Sequence, residues 1–479
     1  MTAADVMAST ASGSPIESQS LEPAAIVMPD LAPEGAGPRE RFIPVTIFAL
    51  TDRLTLASAW PTGQARAAKR FFRYLEFWRR QQHATALTSL SQTYEPFSPD
   101  SDLLVTRRFT PEEQQTMRKR VVAGIERFVQ QANYVRIDPS DVAMILTKES
   151  HYGLDLNVDF TAFEEVLIYY RGATSRRGQK RRLVKFMRKE EFDVPIFQRL
   201  FLLFKLKPFE TRVFEVMKER RVQRGEAERI VKKLRAMLPS AINESNIYIK
   251  LFKNIPRSDI EMVFPNTQVK FRLLDKLRLG VTAGGGLGMG VVGAAGKLAV
   301  AASNPVMAAG AVVGLGGIAF RQAVNFLNQK QRYMVVMAQN LYFHSMADNR
   351  GVLIKLADRA AEEDIKEEVL LYSVLAKEQA TRADLPAIDA AIEQYLSSNF
   401  GVTVDFDLAD ALQRLLEDGI VREDINGRLV TMPPAQAAHH LDAKWDVLLD
   451  NLPGFEGEGE EFEGTPGPAQ GAPAETPIT

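Results

Sequence analysis

Histidine is the side chain most often recruited for proton transfer and metal binding near neutral pH, and the chain has five: His83, His151, His344, His439 and His440. None stands in an HExxH-type pair. His439-His440 lies in a stretch containing Ala and Pro that reads as a loop near the end of the ordered chain. The carboxylates Asp155, Glu164 and Glu165 stand four, five and six positions from Asp159, a spacing common on ordinary surfaces that does not by itself mark an acid–base pair. The absence of cysteine excludes thiol and disulfide chemistry.

Two glycine motifs invite a nucleotide reading. Gly288-Met289-Gly290-Val291-Val292-Gly293 matches GxGxxG behind a short strand-like LRLGVT. A ribose-binding acid should follow about 20 residues later, yet no Asp or Glu lies between Asp275 and Asp348. Gly296-Lys297 resembles the end of a phosphate loop, but Val291 and Leu298 occupy the positions that should be Gly and Ser or Thr. No catalytic, cofactor-binding or metal residue is assigned, and no cofactor is expected.

What remains is chemistry of binding. The run Arg171 to Lys189, RGATSRRGQKRRLVKFMRK, holds nine basic residues and no acid. Arg176, Arg177, Lys180, Arg181, Arg182 and Lys185 make it a candidate patch for anionic lipid headgroups, each cation near such a surface contributing roughly 1 kcal/mol. Nucleic acid is the less favoured anion, since no recognition motif stands beside the patch. The same polarity extends further: Arg171 to Arg278 has 28 Lys/Arg against 12 Asp/Glu, while the whole chain is nearly neutral with 59 against 60.

The elements that must position these residues are dominated by Leu279 to Phe320, 42 residues with one charged side chain, Lys297. It reads as a Gly-rich two-helix membrane hairpin turned at Ser303-Asn304-Pro305. The first arm, Leu279 to Gly296, would span roughly 27 Å as a helix, close to the ~30 Å hydrocarbon core. The second arm, Pro305 to Phe320, is shorter. Gly284/Gly288, Gly286/Gly290 and Gly310/Gly314 have the small-xxx-small spacing that lets helices pack closely in lipid. Lys297 snorkels toward the headgroups or, in a homo-oligomer, lines a pore or interface. Flanking Lys270, Arg272, Lys276, Arg278, Arg321, Lys330 and Arg332 place both large domains on the cytoplasmic side.

Residues 1–38 have no Lys or Arg and no apolar run, and read as disordered. A helix is predicted over Ala65 to Leu90 with Phe71, Phe72, Leu75 and Trp78 inward. Thr110-Pro111-Glu112-Glu113 is a capping box for a helix whose Met117, Val121, Val122, Ile125, Phe128 and Val129 face the core. Asp138-Pro139-Ser140-Asp141 caps another. Short apolar runs at 163–170, 183–187, 197–207 and 247–252 predict a small antiparallel sheet, with one helix over Pro208 to Met237. Ser258 and Glu261 form a second capping box, near which Lys253, Arg257 and Asp259 are a candidate partner-contact surface. After the hairpin, Gln322 to Met346 continues as helix. Helices at 366–375, 388–396 and 408–417, then strands at 420–422 and 428–431 around Asn426-Gly427, follow a winged-helix-like order. From Glu362 to Arg428 there are 16 acids and 6 basic residues, which favours a protein contact over DNA. The tail from Pro453 is acidic and rich in Gly and Pro, and reads as disordered.

The run Tyr248 to Thr267, YIKLFKNIPRSDIEMVFPNT, resembles the signature of a family of uncharacterised proteins that includes the eukaryotic transmembrane protein 143. Arg41-Phe42-Ile43-Pro44, the turn Tyr94 to Asp100, the glycine-rich stretch, Asn340-Leu341-Tyr342-Phe343 and Gly351-Val352-Leu353 resemble further blocks, so that the similarity spans about 39–432. It implies two predicted membrane spans, a mitochondrial place in eukaryotic members and no activity assignable to a residue. Lacking an arginine-rich presequence, the chain resembles a bacterial member.

The expectation is an α+β membrane-anchored protein. Residues 1–38 are disordered, 39–278 an α+β domain with a basic second half, 279–320 the hairpin, 321–450 a helical and winged-helix-like domain, and 451–479 a disordered acidic tail. It would sit in a bacterial cytoplasmic membrane as a scaffold or regulator, with anionic lipid and a protein partner or second copy as its contacts. The alternatives are an oligomeric pore and an enzyme acting on a lipid or nucleotide.

Overall fold

The computed structural model describes residues 39–103, 109–142, 155–181, 189–257, 260, 263–265, 267–270 and 341–448. Helices α1 (Ile47–Leu54), α2 (Gln64–Tyr94) and α3 (Pro111–Gln131) come first. Both halves of the expected capping box form at the start of α3: Glu113 N–H donates to Thr110 Oγ1 at 3.3 Å, and Thr110 N–H donates to the Glu113 carboxylate at 2.7 Å. There follow β1 (Val135–Arg136), β2 (Asp155–Val158), β3 (Phe163–Arg181), β4 (Lys189–Leu206), α4 (Phe209–Arg220), α5 (Arg224–Arg235), β5 (Tyr248–Pro256), β6 (Thr267–Lys270) and β7 (Ser345–Asp348). The chain continues through α6 (Asn349–Leu375), β8 (Ala380–Thr381), α7 (Leu385–Phe400), α8 (Leu408–Glu417), β9 (Val421–Glu423), β10 (Arg428–Thr431) and α9 (Pro434–Asp446).

A five-stranded sheet in the order β1-β3-β4-β5-β7 is antiparallel throughout. Its faces alternate with the period of two that a strand imposes. Leu167, Tyr169, Phe201, Leu203, Ile249 and Leu251 join one core with α3 and the first half of α6. Ile168, Leu200, Leu202, Phe204, Tyr248 and Phe252 join another on the opposite face. Covering both faces explains why Phe197 to Leu206 reads as an almost unbroken apolar run. Gly172 in β3 has φ +76°, and a Cβ there would lie 2.4 Å from the Gln198 side chain. Only glycine fits.

A third core packs Ile43 to Trp78 against the second half of α6, α7, α8, the three-stranded sheet β8-β10-β9 and α9. The winged-helix-like order is present there, with Gly427 at φ +73° and Asp424 Oδ1 accepting from the N–H of Asn426 and Arg428. Helix α6 belongs to both the sheet core and this one, and every residue from Glu363 to Leu375 is buried.

The membrane-anchored class expected from the sequence is corrected, and with it the transmembrane keywords and the integral location. Among the described residues no helix is long and apolar enough to cross a membrane. The longest, α2, runs 31 residues with Arg66, Lys69, Arg70, Arg73, Arg79 and Arg80 along it, and α6 carries Glu363, Asp364, Lys366, Glu367 and Glu368 at its centre. Neither sequence suits hydrocarbon. The stretch 279–320, with Gly284, Gly286, Gly288, Gly290, Lys297, Gly310 and Gly314, lies outside the described residues. The pore reading depended on that anchor and is withdrawn with it.

Smaller differences have local causes. The helix expected over 208–237 is two, α4 and α5, broken where Arg221 takes φ +53°. Ser345 to Asp348 is extended because it completes the sheet beside β5. His439-His440 lies inside α9 rather than in a loop, since Pro434 at its first turn starts a helix that buries Ala437, Ala438 and Leu441.

Candidate functional site, an ion network beneath an arginine-rimmed cleft

Where the two halves of α6 meet, the sequence EEDIKEE (362–368) opens the stretch from Glu363 onward in which the helix is buried all round, and its charges are turned inward. Glu363, Asp364, Lys366, Glu367 and Glu368 are each at most 3% exposed. Burial of that kind is stable only when every charge finds a partner, and the partners come from elsewhere in the chain. Arg79 on α2 meets Glu368 with two parallel bonds, Nε at 2.7 Å and Nη2 at 2.9 Å. Its Nη2 also lies 2.5 Å from Asp418. Arg414 on α8 spreads over three carboxylates: Nε on Glu368 at 2.9 Å, Nη2 on Glu367 at 2.5 Å and Nη1 on Asp364 at 3.2 Å. The fixed fork of a guanidinium is what allows one residue to hold three acids.

Other elements supply further partners. His83 Nε2 lies 2.8 Å from Asp364, and because an ionised carboxylate only accepts, the ring donates there. Asn133 Nδ2 donates to Glu367 at 2.8 Å. Glu363 accepts from Arg171 of β3 at 2.6 Å, from Lys366 at 2.9 Å and from the Ile43 N–H at 2.8 Å. Lys444 on α9 and the Trp78 indole both donate to Asp418.

Burial opposes charge on Arg79, but Glu368 and Asp418 outweigh it and raise its pKa; Asp364, Glu367 and Glu368 do the same for Arg414. Burial pushes the Glu367 carboxyl up to about 8 against the pull of Arg414.

This network floors a cleft of about 790 Å³ between α2 and α3. Arg79, His83, Asp364 and Arg414 form its base, and Gln81, Gln82 and Gln131 line its walls. Arg120 and Arg127, both exposed, lie seven positions apart on the face of α3 that also carries Gly124 and Gln131. Leu448, just past α9, closes one side. The His83–Asp364 pair has the spacing of a base and its orienter, but the hydroxyls of Thr85 and Thr93 in the same cleft donate back to their own helix, to the carbonyls of Gln81 and Ser89. Among the described residues no three His, Asp or Glu side chains are grouped to hold a metal ion.

The residues singled out in the sequence are not brought together here. Arg176, Arg177, Lys180 and Arg181 lie toward the far end of β3, and the backbone register sets Arg177 opposite Asp193 and Lys180 opposite Glu190 on β4. Arg182, Lys185 and Asp259 fall outside the described residues. Lys253 and Arg257 are exposed, on or just beyond β5, with the Lys253 carbonyl oxygen 2.7 Å from His344 Nδ1. Asp159 accepts from the Thr161 N–H, while Glu164 pairs with Lys205. His440 Nε2 lies 2.7 Å from the Asp418 carbonyl. The site itself went unnoticed because five of the 16 acids counted from Glu362 to Arg428, Glu363, Asp364, Glu367, Glu368 and Asp418, are internal rather than on the surface. The available signal was a charged block followed directly by an uncharged, mostly apolar run, Val369 to Leu375, in the same helix.

No solved structure matches the chain. A family match covers the long hairpin of the sheet, continues through α4, α5 and β5, and ends in the first turn of α6. It does not single out transmembrane protein 143. The model of a family described as protein of unknown function, DUF3754, matches residues 163–351 of this chain.

Proposed function

We propose that this chain is a binding protein, a scaffold or regulator, whose cleft between α2 and α3 receives an acidic segment of a partner protein. The observation that carries the reading is the pair Arg120 and Arg127 on the cleft face of α3, above a floor whose carboxylates are already bonded to Arg79 and Arg414. With the floor carboxylates bonded to Arg79 and Arg414, the exposed charges of the lining, Arg120 and Arg127 against Glu417, give a net positive surface to a ligand. The glutamine walls add donors for carboxylates or a peptide backbone. The floor is held by side chains of α2, α6 and α8 that bond one another, so the site is formed before the ligand arrives, which lowers the ordering cost of binding. Kinship with transmembrane protein 143, read from Tyr248 to Thr267 and its neighbouring blocks, is part of this proposal and assigns no activity to any residue.

A fluorescent deca-glutamate peptide titrated onto the full chain at low salt tests the reading. Saturable binding is expected, weakening as salt is added and falling at least tenfold in the double variant Arg120→Glu/Arg127→Glu. Both positions are exposed, so the variant should unfold at the same denaturant concentration as the wild type. Equal affinity in the reversed variant, or no saturable binding either by the wild type or by a chain whose five glutamates at 456–463 are changed to Gln, contradicts the reading.

A further inference from the structure

The described chain leaves α9 against this same cleft. Lys444 lies over the Trp78 ring at 5.5 Å and bonds Asp418, and Leu448 forms part of the cleft wall. The sequence beyond it, residues 449–479, contains seven Asp and Glu and no Lys or Arg. Its densest part is FEGEGEEFE, residues 455–463, with five glutamates and two phenylalanines. We propose that this segment of the chain itself occupies the cleft, its glutamates on Arg120 and Arg127, so that the protein blocks its own site until a partner's acidic segment displaces it. The inference rests on reading the cleft as a site for acidic polypeptide.

Two facts favour this occupant over a segment from another molecule. Charge is complementary, with five carboxylates facing a rim of exposed guanidinium groups above a floor whose carboxylates are bonded to Arg79 and Arg414. Distance is also short, since Glu456 is eight positions beyond Leu448, up to about 27 Å of extended chain. A tether of that length gives an effective concentration in the millimolar range, so an intrinsically weak contact still fills the site. A free ligand then binds with an affinity reduced by the fraction of molecules whose cleft is closed.

The test uses the full chain with Glu456, Glu458, Glu460, Glu461 and Glu463 all changed to Gln, which keeps length and shape. The deca-glutamate probe is expected to bind this variant at least tenfold more tightly than the wild type, and a labelled peptide of residues 452–464 to bind it as well. Adding Arg120→Glu/Arg127→Glu should abolish both. If the probe binds wild type and Gln variant equally, the cleft takes acidic segments but residues 455–463 are not its occupant, and this inference is overturned while the function reading stands. If the probe binds neither, the reading of the cleft fails and the inference falls with it.

Discussion

Glu367 and Glu368 are adjacent, both buried, and differ in what surrounds them. Glu368 accepts three guanidinium bonds, from Arg79 Nε and Nη2 and Arg414 Nε. Glu367 has one guanidinium nitrogen and the Asn133 amide, so burial prevails and its pKa rises from an ordinary 4.5 to about 8. The folded state therefore binds a proton that the unfolded state has released between those two values. The stability this contributes is complete below about pH 4.5 and is lost as pH rises through 8, with a slope of at most about 1.4 kcal/mol per pH unit. Glu367→Gln, a neutral side chain of the same size, removes that term. Unfolding free energies of the two proteins measured from pH 5 to 9 should show the wild type losing ground to the variant as pH rises, and then a constant difference. A difference that is flat throughout, or that moves the other way, would mean that Glu367 is ionised in the fold.

At the scale of elements, α6 is the member that the others are built on, and its central charges lock α2, α8 and β3 to it. Removing one partner of a buried pair leaves the rest uncompensated, at a cost of about 3–5 kcal/mol. Glu368→Ala should therefore lower the unfolding free energy by that amount in urea titrations; a loss below about 1 kcal/mol would show that water or rearrangement replaces the carboxylate. The exposed pair Arg382–Glu423 is the control, and Glu423→Ala should leave the midpoint unchanged. Elements defined by local rules were legible in the sequence. The Thr110 capping box and the span Leu408 to Glu417 formed as the residues imply, and the Asn426-Gly427 turn joins the strands expected beside it. The ion network was not legible because its pairs are remote, with 289 positions between Arg79 and Glu368. No window of the sequence contains both. Without the partners in view, EEDIKEE looks like a solvated helix face. Strand β7 was missed for a related reason, since residues 345–348 become extended only through their pairing with Lys250 to Phe252.

In the whole molecule, two cores meet around α6, and the described residues from both ends of the chain share one of them, with Ile43 packed in the same cluster as Leu441. The basic character concentrated in Arg171 to Arg278 offers acidic ligands a second place to bind, the long β3–β4 hairpin, where the register already sets acids opposite Arg177 and Lys180. A binding curve alone does not distinguish hairpin from cleft. The most direct test of the central claim is amide hydrogen exchange on the full chain carrying the five Glu→Gln changes at 456–463, with and without the deca-glutamate probe. The cleft reading requires added protection within residues 79–93 of α2 and 120–131 of α3, with residues 163–206 unchanged. Protection confined to 163–206 would place the anion on the hairpin and contradict it.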